Sequence, residues 1–159
     1  MKYIVSLFLE SNENVVREIE ISSTNSLYQL HKIITKSCDL DDKELASFYV
    51  TNDNLDLLRE ITLVSFEENN QDLMINTLII DVLEKKQDKL IYVYDYLKMW
   101  RFLIELKEVS SVGINNSKCI YSLGDIPKEA PDIIFEENKD NLYDDSSLDN
   151  YDEYDEYEE

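Results

Sequence analysis

The residues of this chain that could do chemistry are concentrated in one short segment. Tyr94-Asp95-Tyr96 lies between two β-rich runs, and Trp100, the only tryptophan, follows four residues later. Burial would raise the pKa of Asp95 and would suit this carboxyl group to general acid or base chemistry. The alternative, which we favour, is that Asp95 caps a turn or pairs with Arg17 or Arg101.

The chain contains a single histidine, His31, which could act as a general base or a metal ligand. A metal site needs several convergent ligands, and no second histidine or nearby cysteine supplies them. We therefore expect a helix-borne histidine that hydrogen-bonds a neighbour, and no metal. Gly113 and Gly124 are the only glycines, so a glycine-rich phosphate loop is excluded and no cofactor is expected.

These residues define a candidate binding surface without a catalytic residue. The aromatic side chains are expected to pack in the core and across strands rather than to form a ligand cage. An enzyme is the alternative, and it would need Asp95, His31 and Arg17 in one pocket. The candidate surface consists of Arg17, His31, Tyr94, Asp95, Tyr96 and Trp100.

The charge of −20 is unevenly distributed. Residues 136–159 carry twelve acidic residues and one lysine, so more than half of the net charge lies in the last 24 residues. Few aliphatic residues occur there, which predicts a disordered acidic tail. The tail could dock on a basic partner protein, serve as a decoy for a nucleic-acid-binding protein, or act only as a solubilising extension.

The rest of the chain excludes several classes of protein. It is also acidic and has no basic stripe, which argues against direct nucleic-acid binding. No apolar run approaches the roughly 18 residues of a membrane span. Cys38 and Cys119 do not make a disulfide framework, and the N-terminal apolar residues alternate like a strand, so we expect a cytoplasmic protein.

The hydrophobic periodicity predicts an α+β fold. We expect one domain over residues 1–135, with a mixed, mostly antiparallel and curved sheet, followed by the tail at 136–159. One main helix and one shorter helix should pack on the sheet. The predicted strands are 3–9, 15–21, 44–51, 61–66, 89–96, 101–109 and 131–135, and the predicted helices are 26–37 and 77–86, with a turn-rich segment at 113–131. The predicted core includes Leu7, Ile19, Leu27, Leu30, Ile34, Phe48, Val82, Tyr94, Trp100 and Ile104.

Several of these motifs together resemble a known family. They are Val15-Val16-Arg17 in the second strand, Ser26-Leu27, Leu30-His31 and Ile33-Ile34 on the helix, Glu44 to Phe48, and Tyr94-Asp95-Tyr96 with Trp100 and Ile104-Glu105-Leu106. On these motifs, residues 3–135 resemble the plasmid pRiA4b ORF-3-like family, also known as insertion-element passenger (TnpR-like) proteins. The resemblance implies a fold and an association with mobile elements, but no established activity.

This chain departs from the family pattern at its most polar positions. The family pattern places acidic residues and a histidine around the tryptophan, where this chain has Lys98, Met99 and Phe102. If the family uses that cluster chemically, this member has lost the activity. The sequence therefore favours a non-catalytic binding or interaction protein.

Overall fold

The computed structural model describes residues 1–68 and 71–131 of the chain. The acidic segment 136–159 and nearly all of the strand predicted at 131–135 lie outside the described residues. Within the described part, a single sheet dominates the structure.

The sheet contains seven strands in the order β4-β3-β5-β6-β1-β2-β7. Every neighbouring pair is antiparallel. The predicted α+β class with a mixed sheet is therefore wrong, and the described chain is mainly β. The strands are β1 (Lys2–Leu9), β2 (Val16–Ser22), β3 (Ala46–Thr51), β4 (Leu57–Thr62), β5 (Lys89–Tyr94), β6 (Trp100–Ser110) and β7 (Lys118–Leu123).

The main helix forms where the sequence predicts it. Helix α1 spans Leu27–Ser37 and begins with a capping box, in which Ser26 and Gln29 satisfy each other's backbone N–H groups. Leu27, Leu30 and Ile34 are buried at helical spacing, so the apolar side of α1 packs on the sheet.

The second predicted helix, at 77–86, is largely absent. A 3-10 helix covers Met74–Asn76, and α2 covers only the four residues Ile79–Val82. Leu83 is extended and ends the helix. The Asp88 carboxylate accepts hydrogen bonds from the backbone N–H groups of Glu84 and Lys85, so residues 84–88 form a turn and do not continue the helix. The apolar periodicity that predicts a helix is instead used by a compact loop, in which Met74, Ile79 and Leu83 are buried.

Two strands also differ from the prediction. Strand β4 covers Leu57–Thr62, so the predicted strand at 61–66 is displaced by four residues along the chain. Strand β7 lies inside the segment predicted as turn-rich and pairs with β2 at the edge of the sheet. Most of its side chains are exposed, so it carries no alternating apolar pattern that would predict a strand.

The two faces of the sheet differ in what covers them. On the core face, which carries Phe48, Tyr92 and Ile104, the side chains pack beneath α1 and the loop that follows β4. Nine of the ten predicted core residues are buried, whereas Val82 is half-buried and packs against the core. The opposite face, here called the open face, has no helix on it in the described part of the chain.

Gly124 provides a direct test of how closely the chain packs after β7. Its φ is +80°, and an added Cβ would lie 2.2 Å from the backbone oxygen of Asn14. We expect Gly124→Ala to lower the free energy of unfolding by about 2 kcal/mol or more, because both backbone strain and a clash result.

Gly113→Ala is the matched control, because nothing lies within 4 Å of its added Cβ. Urea unfolding should show this variant unchanged or slightly stabilised. Equal losses in the two variants would mean that the chain around Gly124 is loosely held.

Candidate functional site

Arg17 is buried at the end of the core face, with only 6% of its surface exposed. Its Nε donates to the carbonyl of Ser37, at the C-terminus of α1, at 3.1 Å. Its Nη1 donates to the carbonyls of Val16, Leu123 and Gly124 at 2.9 to 3.0 Å. The guanidinium group thereby joins β2, the C-terminal end of α1 and the C-terminal end of β7. The negative end of the helix dipole of α1 favours a cation at this position.

His31 lies inside the core with no exposed surface. Its Nδ1 is 2.8 Å from the hydroxyl of Tyr92, and Nε2 has no hydrogen-bond partner within the described residues. Burial lowers the pKa of His31, and the nearby backbone and carboxylate of Asp42 oppose part of that shift. The histidine is therefore held neutral between helix and sheet, hydrogen-bonded to a neighbour as expected from the sequence.

Asp95 occupies the turn between β5 and β6. Its φ is 64°, a left-handed conformation that aspartate tolerates better than most residues. The carboxylate Oδ1 accepts from the backbone N–H groups of Leu97 and Lys98 at 3.1 and 3.3 Å. Asp95 thus caps the turn, which is the structural alternative favoured from the sequence.

The aromatic residues around this turn are mostly packing residues. Tyr94 and Trp100 face each other across β5 and β6 and are 4% and 5% exposed. The Tyr94 hydroxyl donates to the Asp41 carbonyl at 2.6 Å, and burial raises its pKa to about 12. Tyr96 reaches over to the open face, where its hydroxyl contacts the Ser47 hydroxyl.

The structure brings only part of the predicted surface together. Arg17 and Trp100 line one cleft, here called the Arg17 cleft, which is about 420 Å³ in volume. His31 and Asp95 do not line it, and no hydrogen bond or ion pair joins any two of Arg17, His31 and Asp95. The geometry therefore gives no support to an enzyme that uses these three residues in one pocket.

A larger cleft lies on the open face, and the sequence did not predict it. This open-face cleft has a volume of about 590 Å³. It is bounded by the end of β1, by β5 and β6, and by the hairpin between β3 and β4. The lining residues are Phe8, Leu9, Glu10, Asn54, Leu55, Asp56, Leu57, Ile91, Arg101, Phe102 and Leu103.

The strand register explains why the floor of this cleft is apolar. Tyr49 pairs with Ile91, Ile91 with Leu103, Leu103 with Phe8, and Phe8 with Val16. These five side chains form one continuous row across five strands, here called the open-face stripe. A sequence signal does exist, because Phe8 in β1 and Ile91 in β5 are apolar although they lie on the side of their strands opposite the core face.

Polar groups flank the stripe. Arg101 Nε lies 3.1 Å from Glu10 Oε1 inside the cleft. Beside the stripe, Glu60 Oε2 accepts from the hydroxyls of Ser47 at 2.7 Å and Tyr49 at 3.1 Å. Burial, reinforced by Glu60, raises the pKa of Tyr49 to about 12, so this tyrosine is a hydrogen-bond donor and not a base at neutral pH.

Comparison with known proteins now identifies the family. The family model described as plasmid pRiA4b ORF-3-like protein matches residues 3–158. This chain belongs to the plasmid pRiA4b ORF-3-like family. The resemblance inferred from the sequence motifs is confirmed, and the match extends beyond residue 135, where the sequence motifs ended.

Solved structures support the fold of this family member. The crystal structure of a protein of unknown function from Methanosarcina mazei Go1 superposes with a TM-score of 0.63 at 19% identity. The alignment covers 86% of this chain and 78% of that chain. At this identity the likeness shows the fold alone. No curated protein matches the chain.

Residues 1–68 and 71–131 contain no group of three or more histidine, cysteine, aspartate or glutamate side chains placed to hold a metal ion. No helix in the same residues of this pRiA4b ORF-3-like protein is long and apolar enough to cross a membrane.

The buried histidine predicts a specific pH dependence of stability. Because its folded-state pKa lies below the unfolded-state value near 6.5, the unfolded chain binds more protons between those two values. Stability should therefore be fully present above about pH 6.5 and should fall below it, by up to about 1.4 kcal/mol per pH unit. Urea unfolding of the parent and of His31→Gln should be compared at several values between about pH 5 and about pH 8, a range that brackets the ordinary histidine pKa. The difference between the two pH profiles isolates the contribution of His31.

Tyr92→Phe is the control, because it removes the hydrogen bond and keeps the buried imidazole. It should be less stable than the parent at every pH but should retain the same pH slope. If His31→Gln keeps that slope as well, the titrating group is not His31.

Proposed function

We propose that this protein is a non-catalytic binding protein whose ligand is a small, mostly apolar molecule held in the open-face cleft. The observation that carries the proposal is the open-face stripe. In antiparallel sheets the face without a helix is normally polar and hydrated. Here it carries an apolar row across five strands, in which Ile91 is buried and the other four residues keep part of their apolar surface in contact with water.

The size and shape of the cleft support a small ligand. A volume of about 590 Å³ lies within the range of about 300 to 1,000 Å³ that is typical of small-molecule sites. The β3–β4 hairpin forms one wall with Leu55 and Leu57, which are 40% and 46% exposed. A ligand between this wall and the half-buried Leu103 would bury apolar surface on two sides.

The polar end of the cleft supports an oriented ligand. Arg101 and Glu10 are 19% and 39% exposed, so both reach the cleft while pairing with each other. A ligand with one polar group at this end would meet charge there and apolar surface elsewhere. Such a combination is typical of sites that fix both affinity and orientation.

The placement of the candidate residues favours a binding role over catalysis, because Arg17, His31 and Asp95, all within the described part of the chain, do not line one pocket. The turn at Asp95 carries Lys98 and Met99 where the family pattern has acidic residues. Burial raises the pKa of Tyr49 in the stripe and of Tyr96 near it, so both stay protonated at neutral pH. A cytoplasmic location and an association with plasmids or insertion elements belong to the same proposal, supported by the two free cysteines and by the family's name.

Binding of Nile red, a neutral and largely apolar dye, tests the site. We expect saturable fluorescence enhancement with the full chain. Leu103→Gln should weaken the affinity about 5- to 30-fold, because a polar group replaces roughly 1 to 2 kcal/mol of apolar contact. Native mass spectrometry of the protein from its own host would then identify a retained ligand.

Leu97→Gln is the matched control, because Leu97 is 95% exposed and lies outside the cleft. It should bind Nile red like the parent. Equal losses in both variants, or no saturable binding to the parent, would contradict the proposal. Urea unfolding of Leu103→Gln checks that the variant is folded.

The charge of the C-terminal segment supports a second proposal, in which residues 136–159 dock on a basic partner protein. Eleven net negative charges lie within those 24 residues. Such a concentration raises the rate of encounter with a basic surface and is screened by salt. A decoy for a nucleic-acid-binding protein is one form of this role.

A full-length variant tests this second role without truncating the chain. Replacing the seven acidic residues from Asp149 onward by Asn or Gln, with the length unchanged, should abolish capture of a basic partner from host extract. Parent capture should disappear at high salt. Equal capture by both chains, or capture that salt does not affect, would rule the segment out as the contact.

A further inference from the structure

The Arg17 cleft lies apart from the open-face cleft, at the end of the core face. Its walls come from the C-terminal end of α1, from the start of β6 and from the residues after β7. Trp100 and Cys38 supply apolar surface within it, and both are buried. The cleft therefore combines a guanidinium group with an aromatic side chain in a volume of about 420 Å³.

The charge of Arg17 is not compensated by a carboxylate. None of the ion pairs among the described residues includes Arg17, although only 6% of the surface of this residue is exposed. Buried charges in proteins are normally paired, since removing a charge from water is costly.

The hydrogen bonds of Arg17 leave one part of the group available. Nε and Nη1 are occupied by four backbone carbonyls, which fix the plane of the guanidinium group. Nη2 makes no hydrogen bond in the described part of the chain. Because the side chain lines the cleft, a rigid cationic donor remains for a ligand there.

We infer that the Arg17 cleft binds the carboxylate of a small organic acid, whose apolar body lies against Trp100. A carboxylate oxygen would accept from Nη2 and would supply the missing negative charge. Charge-assisted hydrogen bonds of this kind are about twice as strong as neutral ones. The site is independent of the ligand proposed for the open-face cleft.

The rim of the cleft indicates a singly charged ligand. Lys128, Asp39 and Asp125 line the cleft and are exposed, so the rim carries one positive and two negative charges. A phosphate dianion would be repelled by the two aspartates. A single carboxylate places its charge at Arg17, deeper than the rim, and leaves the rim hydrated.

Arg17 also has a structural role, since its carbonyl contacts join three elements. That role accounts for Nε and Nη1. It does not involve Nη2, which has no hydrogen-bond partner among the described residues, on a side chain that lines a cleft. A substitution of Arg17 would disturb both roles, so the test relies on other residues.

Trp100 is the only tryptophan and lines the cleft, so its fluorescence reports binding without a label. Titration of the full chain with benzoate, at constant ionic strength, should give a saturable change in that fluorescence. Benzamide, which has the same size and no charge, should give none in the same concentration range. Lys128→Ala should weaken benzoate binding about two- to fivefold, as expected for an exposed charge near an anion.

Lys43→Ala is the matched control, because Lys43 is exposed and lies outside the cleft, and it should bind benzoate like the parent. Leu103→Gln should also leave benzoate binding unchanged. Equal responses to benzoate and benzamide, or no saturation with benzoate, would overturn the inference. So would equal weakening by the two lysine variants, or a loss of benzoate binding in Leu103→Gln, which would place benzoate in the other cleft.

Discussion

The architecture depends on one packing constraint, which is that a single helix must cover one face of a seven-stranded sheet. An 11-residue helix is about 16 Å long, whereas seven strands span about 29 Å. Helix α1 therefore cannot shield the core face alone. The loop between β4 and β5 completes the cover with Met74, Ile79 and Leu83, all fully buried. This requirement explains why the predicted second helix is replaced by a compact loop, since a loop can follow the sheet where a straight helix would leave a gap.

The same constraint accounts for the polar groups inside the core. Where α1 meets the centre of the sheet, His31 fills the space above Tyr92, and the hydrogen bond between them satisfies the tyrosine hydroxyl. Where α1 ends, its last carbonyls need donors, and Arg17 supplies one to Ser37. Both residues thus complete the interface between helix and sheet. Only Arg17 does so at a place where a cleft reaches the side chain.

The sequence predicts the parts of this fold in which local pattern and burial agree. The first hairpin, α1 and the strands around Trp100 all have one apolar phase that faces the core, and nearly all of the predicted core is buried. The prediction fails where the pattern is ambiguous or absent. Residues 77–86 have helical periodicity but are used as a loop, and β7 has no apolar phase because it is an exposed edge. These two errors produced the wrong fold class.

The candidate site was predictable only in part, because its residues are assembled by register across distant strands. The sequence singled out Arg17 and Trp100 separately, but nothing local shows that β2 and β6 place them at one cleft. The open-face stripe was less accessible still, since each strand contributes one residue to it. An apolar residue such as Phe8 or Ile91 on the side of its strand opposite the core becomes informative only when the pairings align those positions.

Strand β6 links the two clefts through the simplest property of a β-strand. Successive side chains point to opposite faces, so Trp100 lines the Arg17 cleft and Arg101 lines the open-face cleft. A one-residue shift in the pairing of β6 would exchange the two side chains and would dismantle both clefts together. The turn at Asp95 sets that register, because its left-handed backbone and its carboxylate contacts fix where β6 begins. The acidic residue that first suggested chemistry therefore matters through geometry, because it determines which residue of β6 lines which cleft.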